Sequence, residues 1–399
     1  MASKENIAIV KATVPVLKEH GETITKVFYT NLFEEHPELK NVFNMTHQKK
    51  GSQQKVLANA VFQYAVHIDK LEMLGDAVET IAHKHSSLSI SKEAYPIVGK
   101  HLLGAIKEVL GQAASPEILG AWAEAYDDLA AIFVAREEEI YVEQEHRYGG
   151  FRGQKKFEVV KRVDENALIT SFYLKPMDGT VVPSFLPGQF VAVTVDIPNT
   201  SHRHTRNYSM SDIPDKEYLR ISVKREEEGE PNGTVSNFLH NNFNEGSNMD
   251  VGMPSGNFCL NGDSSPVVFL AGGIGVTPLL SMCKAAVKTG REVVFLQSAR
   301  NSYHLAFANE LEPLINQGIV YKKIFDQPLE TDVLGENFDY KGFLTSDILD
   351  NLKLNEKVDY YFCGPKAYLQ HCYSLLKNKG VEEENLHFEF FGPTQDITE

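Results

Sequence analysis

The chain has 399 residues and a formal net charge of −15 at pH 7. Because a domain commonly has about 150 residues, this length predicts two or three domains. The negative charge would repel a phosphate backbone, and no run of Lys and Arg is large enough to reverse it locally, which argues against nucleic acid as a partner. Residues 1–17 do not form a hydrophobic signal segment, and no apolar run approaches the roughly 18 residues of a membrane span. The sequence therefore predicts a cytoplasmic protein without a transmembrane segment, and we expect a monomer.

The cysteines are few and lie in the C-terminal part of the chain, at Cys259, Cys283, Cys363 and Cys372. None of them falls in a C-x-x-C or C-x4-C-x2-C pattern. This spacing argues against a zinc site, an iron–sulfur cluster and a disulfide framework.

Apolar residues recur at helical spacing through residues 1–142. Pro15 interrupts the first of these stripes and should kink that helix. Ser115 and Pro116 are a favourable N-cap and N1 pair for the long helix that follows them. With little β signal and short connections, this stretch predicts an all-α domain.

One histidine in the helical domain occupies a position where an apolar side chain is expected. Its stretch has the helical pattern Leu74, Val78, Ile81, His85 and Leu88. We expect His85 to point inward, whereas His83 falls off the stripe and should face solvent. A lone histidine on an apolar face is usually a hydrogen-bonded core residue, so a metal or haem role depends on the flanking chain.

Two further architectures follow the helical domain. Residues 143–153 are charged and glycine-rich, and we interpret them as a linker. In residues 154–263 the apolar period changes to two, and Gly, Pro and Asn separate the segments, which predicts an antiparallel β-barrel. Residues 264–399 alternate continuous apolar strands with helical segments, which predicts a parallel α/β domain. The predicted fold class is multidomain.

Several residues of the helical domain stand in the order and spacing of a globin, namely Tyr29, the run Pro37–Phe43, Gln53, Leu57 and His85. On these residues the whole chain resembles the flavohaemoglobins. The resemblance implies that His85 is the proximal ligand of a haem b iron, with Lys84 beside it, and that Phe43 wedges against the haem. It also implies a distal pocket lined by Tyr29, Gln53 and Leu57. Core packing is the alternative for Tyr29 and Phe43.

Two more residues refine the implied haem chemistry. Tyr95 opens the helix after His85. Glu137 lies in an acidic run that would normally be solvated, but its spacing from Phe133 and Ile140 places it on their buried stripe. In the family, the matching Tyr and Glu hydrogen-bond the proximal histidine, and such a carboxylate pushes electron density toward iron. With Tyr29, Tyr95 and Glu137 in catalytic roles, the resemblance implies oxygen activation.

A flavin motif follows a barrel strand. The R-x-Y-S run Arg206–Ser209 is of the type found in ferredoxin-reductase-like flavoproteins, in which Arg206 can pair with the FAD pyrophosphate and Tyr208 can lie on the isoalloxazine. Phe190 stands where many relatives have Tyr, so a hydrogen bond from that position would be absent. Gly233–Ser236 precedes a helical segment and offers N–H groups to phosphate, or is a simple glycine turn. The implied FAD contacts are Phe190, Arg206, Asn207, Tyr208, Ser209, Val235 and Ser236.

A glycine turn, Gly272–Pro278, directly follows a buried strand and leads into a helix. Proline replaces the third glycine of the dinucleotide fingerprint, so the prediction of an NAD(P)H site depends on the family resemblance. The family's companion turn is Cys363–Pro365, and its C-terminal segment covers the flavin; a hydrophobic terminal strand is the alternative there. The implied contacts are Gly273, Ile274, Gly275, Val276, Thr277, Pro278, Cys363, Gly364, Pro365, Glu389, Phe390, Phe391, Gly392 and Pro393.

Arg300 follows the second α/β strand, near the place where adenine-ribose recognition is expected. A guanidinium there can accept a 2'-phosphate, so we expect NADPH to be usable beside NADH.

As a whole, the resemblance implies a nitric oxide dioxygenase that uses NO and O2 as substrates and forms nitrate, with electrons passing from NAD(P)H through FAD to haem. A flavin suits this order because it accepts two electrons and releases them singly. Two alternatives stay open. An oxygen-storing or oxygen-sensing globin would not need the reductase, and an NAD(P)H-dependent flavin or ferric reductase would not need Tyr29.

Overall fold

The computed structural model describes residues 2–227, 233–352 and 357–392. Pro393, an implied nicotinamide-domain contact, lies outside these residues. Two units are present: the first contains the chain up to Gln154 together with Thr194–Arg206, and the second contains Lys155–Val193 and the chain from Asn207 onward. Among the described helices, none combines the length and the apolar character needed to cross a membrane.

The described part of the first unit that precedes the barrel strands is helical, as predicted. Their apolar stripes meet in one core around Phe28, Leu32 and Trp122. A short 3-10 helix, Pro37–Asn41, begins with its proline in the first turn. The α-helices are α1 (Lys4–Ala12), α2 (Val14–Glu35), α3 (Met45–Lys49), α4 (Ser52–His67), α5 (Gly75–Ser87), α6 (Ala94–Leu110) and α7 (Pro116–His146).

Residues in the first turn explain where two of these helices begin. The Ser115 Oγ accepts a hydrogen bond from the backbone N–H of Ile118 (3.2 Å), and Pro116 occupies the first turn of α7. The predicted N-cap pair is therefore confirmed. Pro15 lies in the first turn of α2, and Thr13 separates α2 from α1. The expected kink is thus a break, because proline is tolerated best where a helix starts.

Helix α7 runs to His146, so the first part of the predicted linker, residues 143–153, is helical. Two features stabilise the helix through these charged residues. The Gln144 side chain is buried, and Glu143 accepts a hydrogen bond from the Arg136 guanidinium at 3.2 Å. The predicted domain boundaries themselves stay predictions.

An antiparallel sheet follows, as predicted from the period of two. Its elements are β1 (Gln154–Asp164), β2 (Ile169–Pro176), β3 (Phe190–Val195), β4 (His204–Ser209), β5 (Leu219–Lys224), α8 (Thr234–Asn242) and β6 (Asn248–Gly252). The strands are ordered β4-β3-β6-β1-β2-β5, and a bridge between Met210 and Ile221 brings the two outer strands together in a nearly closed barrel. The run Arg206–Ser209 was expected after a strand, but it lies within β4, whose polar sequence hid its extended conformation.

The C-terminal part of the second unit is a parallel sheet with helices, again as predicted. Its strand order is β10-β9-β8-β7-β11-β12, so the chain moves outward from β7 in one direction and then returns to its other side with β11. Ligands of such sheets bind at the carboxyl ends of the strands beside this reversal. The elements are β7 (Val267–Gly272), α9 (Val276–Lys288), β8 (Val293–Ala299), α10 (Ala308–Leu311), β9 (Val320–Phe325), β10 (Tyr340–Lys341), α11 (Ser346–Asp350), β11 (Asp359–Cys363), α12 (Lys366–Asn378) and β12 (Leu386–Glu389).

Candidate functional site

His85 of α5 faces α7, as its place on the apolar stripe predicts. Its Nδ1 lies 2.8 Å from Glu137 Oε1 and 3.1 Å from the Tyr95 hydroxyl. Because a carboxylate only accepts hydrogen bonds, the imidazole proton is on Nδ1. The lone pair is therefore on Nε2, the state in which histidine binds iron. The donor chemistry of this histidine fits a haem.

The partners of His85 are held in place by burial. Glu137 is only 3 % exposed, and the Tyr95 hydroxyl donates a hydrogen bond to the same carboxylate oxygen. Burial, followed by the Glu137 carboxylate, raises the pKa of Tyr95 well above its ordinary value, so its hydroxyl keeps its proton. The Phe133 ring lies 5.7 Å from the His85 ring between centroids. The structure thus brings together the three residues that the sequence placed on α5, α6 and α7.

His83 does not face solvent, so that expectation was wrong. Its side chain is buried, and Nε2 hydrogen-bonds the Glu79 carboxylate at 3.1 Å, one turn earlier in α5. The Arg136 guanidinium of α7 donates to both Glu79 oxygens, at 2.7 and 2.8 Å. The pair with Glu79 satisfies the ring, so His83 is buried although it lies off the apolar stripe.

Tyr29 of α2 lies inside the first unit, 4 % exposed, among aromatic side chains. Its ring is 5.7 Å from that of Phe43, edge to face, and 5.7 Å from that of Phe33, stacked. Burial raises the pKa of Tyr29 to about 12, an effect that a hydrogen bond with the Gln53 side chain partly offsets. The phenol therefore stays protonated at neutral pH beside Gln53. Leu57 packs, partly buried, against the same core.

Gln48 belongs to this group but was not singled out from the sequence. Its side chain is buried close to Tyr29, and its Nε2 makes no well-formed hydrogen bond within the described part of the chain. A buried amide donor without an acceptor is costly, and a polar ligand beside Tyr29 would satisfy it. The sequence carries no signal for Gln48, because the direction of its side chain depends on how Asn44 caps the short helix α3.

Lys84, predicted beside the haem, is half-buried next to His85. Its charge, after burial and the cations Arg206 and Lys50, contributes to lowering the pKa of His47 to about 4. The His47 imidazole is therefore neutral at physiological pH, which is a second feature that sequence patterns did not reveal.

Most of the predicted flavin residues of the second unit come together on neighbouring strands. The Met210 N–H donates to the Gln189 carbonyl (3.0 Å), which sets Ser209 of β4 beside Phe190 of β3. Phe190 is 5 % exposed, and a Cβ on Gly256 would approach its ring to 2.9 Å. Along the motif, Asn207 is exposed, Tyr208 is half-buried and Ser209 is buried.

Arg206, the remaining motif residue, belongs to the first unit. Its guanidinium donates to the backbone oxygen of Thr205 at 2.7 Å and to the Thr46 hydroxyl at 3.2 Å. It is half-buried and carries a fixed positive charge, which suits it to a pyrophosphate.

The glycine before α8, Gly233, is closely packed and does not adopt the left-handed conformation of a glycine turn. Gly233 has φ −62°, and a Cβ there would lie 2.7 Å from the Glu226 Cβ. Ser236 Oγ lies 3.3 Å from the Gly233 oxygen and 3.3 Å from the Glu226 N–H, and Val235 is buried. The start of α8 is thus a fixed helix N-terminus that is suited to phosphate.

The two glycine turns of the α/β region meet where the strand order reverses. Ala271 of β7 pairs with Cys363 of β11, and a Cβ on Gly275 would lie 2.1 Å from the Cys363 oxygen. Gly364 is also confined, since a Cβ there would come within 2.8 Å of the Tyr368 ring. Gly273, in contrast, is exposed with φ +54° and open space around it. The paired turns form the crevice expected of a dinucleotide site.

The C-terminal strand completes this edge of the sheet. Glu389 of β12 pairs with Cys363, so the two predicted contacts are neighbours. Phe390 packs partly buried against the core, whereas Phe391 is 43 % exposed. A Cβ on Gly392 would meet the Phe390 ring at 2.6 Å. The alternative of a purely hydrophobic strand therefore suits Phe390 better than Phe391.

Comparison with known proteins bears on this arrangement. Residues 26–133 match the Globin family, and residues 269–373 match the oxidoreductase NAD-binding domain family. Flavohemoproteins of Halalkalibacterium halodurans and Bacillus cereus are 45 % and 46 % identical to this chain, over 98 % and 100 % of it and 97 % and 100 % of their own length.

Solved structures agree with the sequence comparison. A flavohemoglobin from Malassezia yamatoensis with bound FAD and heme superposes with a TM-score of 0.85 at 25 % identity, covering 98 % of this chain and 100 % of that one. The FAD/NAD-binding domain of a nitric oxide dioxygenase from Vibrio cholerae has a TM-score of 0.55 at 30 % identity, covering 61 % of this chain and 100 % of that one.

A globin joined to a barrel and an NAD-binding sheet defines an NAD(P)H-dependent oxidoreductase that carries haem and FAD. Electrons can reach haem from a nicotinamide only through a carrier that accepts two and releases one, which is the role of the flavin. The chain belongs to the flavohemoprotein family.

Proposed function

We propose that this chain is a nitric oxide dioxygenase, which converts NO and O2 to nitrate with electrons from NAD(P)H and so detoxifies NO in the cytoplasm. The observation that carries the proposal is the buried Glu137 carboxylate, which accepts a hydrogen bond from His85 Nδ1 at 2.8 Å. An oxygen-storage globin does not need this negative charge behind its proximal histidine, because the charge favours activation of a bound ligand.

On the proximal side, His85 would bind the iron through Nε2. Glu137 holds the proton on Nδ1 and makes the imidazole a stronger electron donor. Tyr95 fixes the carboxylate, because its hydroxyl donates to the same oxygen that accepts from His85. The bound haem supplies the iron at which the two gases react, and the bound FAD supplies its electrons one at a time.

On the distal side, Tyr29 would donate a hydrogen bond to the substrate. Its hydroxyl keeps its proton at neutral pH, and Gln53 lies beside it as a second polar group. Phe43 and Leu57 pack, partly buried, against the core that contains Tyr29 and would give this space apolar walls that limit access of water. A donor in a nonpolar pocket favours a ligand that carries negative charge over one that does not.

In the second unit, the contacts for FAD would come from Phe190, Tyr208 and Ser209 and from the start of α8. The contacts for NAD(P)H would come from the paired turns at Gly273–Pro278 and Cys363–Pro365. Support for this assignment is the meeting of both turns beside the reversal of strand order. The nitric oxide dioxygenase named among the structural relatives shares the reductase fold.

The test is consumption of NO by the purified holoenzyme with NADH, in the presence and absence of oxygen. We expect NO to be consumed only when NADH and oxygen are both supplied. Two nitrate ions should form per NADH, because one hydride carries two electrons. NADH oxidation that does not change when NO is added would contradict the proposal. Retention of full activity in haem-free protein would assign the chain instead to flavin or ferric reduction.

A further inference from the structure

Glu35, His36 and His101 form a cluster in the first unit that takes no part in the chemistry described above. One possible ligand atom from each residue lies within 4.8 Å of the others. Glu35 is the last residue of α2, His36 follows it as the C-cap, and His101 projects from α6. The two imidazole rings are nearly perpendicular, with centroids 5.3 Å apart.

His101 directs a buried lone pair into this cluster. Its side chain is 3 % exposed, and Nδ1 lies 2.8 Å from the Ile97 carbonyl oxygen. Because a carbonyl only accepts, the proton is on Nδ1 and the lone pair is on Nε2. Among the described residues Nε2 has no hydrogen-bond partner, yet it lies 3.3 Å from Glu35 Oε2. Two acceptors this close repel each other unless a proton or a cation lies between them.

His36 has the same tautomer as His101. Its Nδ1 lies 3.1 Å from the Glu38 carboxylate, so the proton is again on Nδ1 and the lone pair on Nε2. Histidines that bind metals commonly donate their other ring N–H to a carboxylate or a backbone carbonyl. His36 and His101 show one instance of each. The C-terminal end of α2 adds a partial negative charge, which favours a cation.

We propose that Glu35, His36 and His101 bind a divalent transition-metal ion of the Zn²⁺ type. Two imidazoles and one carboxylate are a ligand set that zinc accepts, with water completing a tetrahedral site. In such a site the ligand atoms lie roughly 3.4 Å apart, given metal–ligand bonds of about 2.1 Å. The Glu35 and His36 side chains, which are 55 % and 26 % exposed, have the freedom to close this gap.

Lys100 is the competitor of the metal. Its ammonium lies 3.1 Å from Glu35 Oε2 and pairs with that carboxylate. Both side chains are mostly exposed, and an exposed ion pair of this kind contributes little stability. A divalent ion with two imidazole ligands can displace it. The cysteine pattern could not reveal this site, because none of its ligands is a cysteine.

Binding would join the end of α2 to α6. Helix α2 carries Tyr29 and helix α6 carries Tyr95, so the ion would connect the helices that bear the distal and the proximal tyrosine. Because the site requires both helices in their folded positions, metal binding should stabilise this unit by mass action and raise its unfolding temperature. This inference is independent of which gas the haem processes.

The experiment uses holoenzyme that carries haem and FAD and from which a chelator has removed divalent metal ions outside the haem. Calorimetric titration with Zn²⁺ should show one site that His36→Ala weakens by about tenfold or more. His20→Ala is the matched control, because His20 is an exposed histidine of the same helix outside the cluster, and it should bind like the parent. X-ray absorption at the zinc edge should show two imidazole nitrogens at about 2.0 Å.

Three results would overturn the proposal: no zinc binding by the parent, equal binding by the parent and His36→Ala, or loss of binding in His204→Ala with retention in His36→Ala. The last result would place the ion at a different ring pair, His202 and His204, whose centroids are 4.5 Å apart. His36→Ala is the deciding variant because His36 is partly exposed, whereas replacing the buried His101 risks misfolding.

Discussion

Glu137 Oε1 lies 2.8 Å from His85 Nδ1, although the two residues are 52 positions apart in the chain. The carboxylate is 3 % exposed, and the packing of α5 against α7 holds it beside the Nδ1 side of the histidine ring. A hydrogen bond between a carboxylate and an imidazole N–H is stronger when the pair is buried than when it is in water. The pair therefore determines how much electron density the histidine can supply to a bound iron.

Replacing Glu137 with Gln tests this role. Glu137→Gln retains an acceptor for His85 but removes the charge, and the loss of about 1 kcal/mol corresponds to roughly 40 mV for a one-electron couple. We expect the haem reduction potential to rise by this order, measured by redox titration, and NO turnover to fall.

Tyr95→Phe is the control for Glu137, since it keeps the carboxylate and removes only the hydroxyl that donates to it. Its effect on the potential should be clearly smaller. Equal potentials for Glu137→Gln and the parent would show that the carboxylate does not tune the iron.

His85→Ala should abolish the haem absorption band and leave NADH-dependent reduction of an artificial acceptor intact, because the reductase has its own core. Added imidazole should partly restore the band by occupying the space of the deleted side chain. His83→Ala is the matched control, a buried histidine of the same helix that pairs with Glu79. A normal haem spectrum in His85→Ala would refute the proximal assignment.

The helical stripes and the strand periods predicted the fold, because burial imposes them locally. Spacing also placed Glu137 on the buried face of α7. His83 shows the limit of this reasoning, since its burial depends on Glu79 and on Arg136 of another helix, a pairing that no local period encodes. The buried Gln48 amide and the His101 lone pair were missed for the same reason.

The strand that carries the flavin motif illustrates a second limit. Arg206–Ser209 lacks apolar alternation, because most residues of β4 are polar and only the first and last residues of the strand are buried. Its pairing partner, and not its own sequence, makes it a strand. Family resemblance identified the motif, but only the fold shows that Ser209 and Phe190 are neighbours.

Gly275→Ala should impair the reaction with NADH. Its Cβ would lie 2.1 Å from the Cys363 oxygen and 2.6 Å from the Gly364 nitrogen, and backbone atoms cannot rotate away. Overpacking of this kind costs about 1–3 kcal/mol, so we expect flavin reduction to slow by roughly ten- to a hundredfold in stopped-flow measurements.

Gly262→Ala is the control for Gly275, since no atom lies within 4 Å of its Cβ position, and its flavin reduction should match the parent's. The haem band should be unchanged in both variants. Normal NADH kinetics in Gly275→Ala would mean that the nucleotide does not depend on the meeting of the two turns.

Arg300→Glu tests the choice between NADH and NADPH. Arg300 is exposed directly after β8, the strand beside β7, and a guanidinium there can attract a 2'-phosphate. The variant should lose kcat/KM for NADPH by about tenfold while that for NADH changes little. If the ratio of the two values is the same as in the parent, another residue selects the nucleotide.

Tyr29→Phe is the prediction that separates the dioxygenase from its alternatives. The substitution keeps the ring contacts with Phe33 and Phe43 and removes only the hydroxyl. A hydrogen bond to a charge-bearing acceptor contributes roughly 1.5–3 kcal/mol, so oxygen affinity should fall by about ten- to a hundredfold, mostly through faster release. Carbon monoxide, which carries little negative charge when bound, should be affected much less.

Burial raises the pKa of Tyr29 to about 12, so the phenol remains a hydrogen-bond donor across the neutral pH range. The prediction therefore does not depend on the pH of the buffer within that range. Flavin reduction by NADH should be as fast as in the parent, whereas NO consumption at low oxygen should drop. Stopped-flow measurement of oxygen release and flavin reduction on the same variant tests both parts. Equal oxygen release in the variant and the parent would mean that Tyr29 does not contact the ligand, and Gln53 would then be the donor to examine.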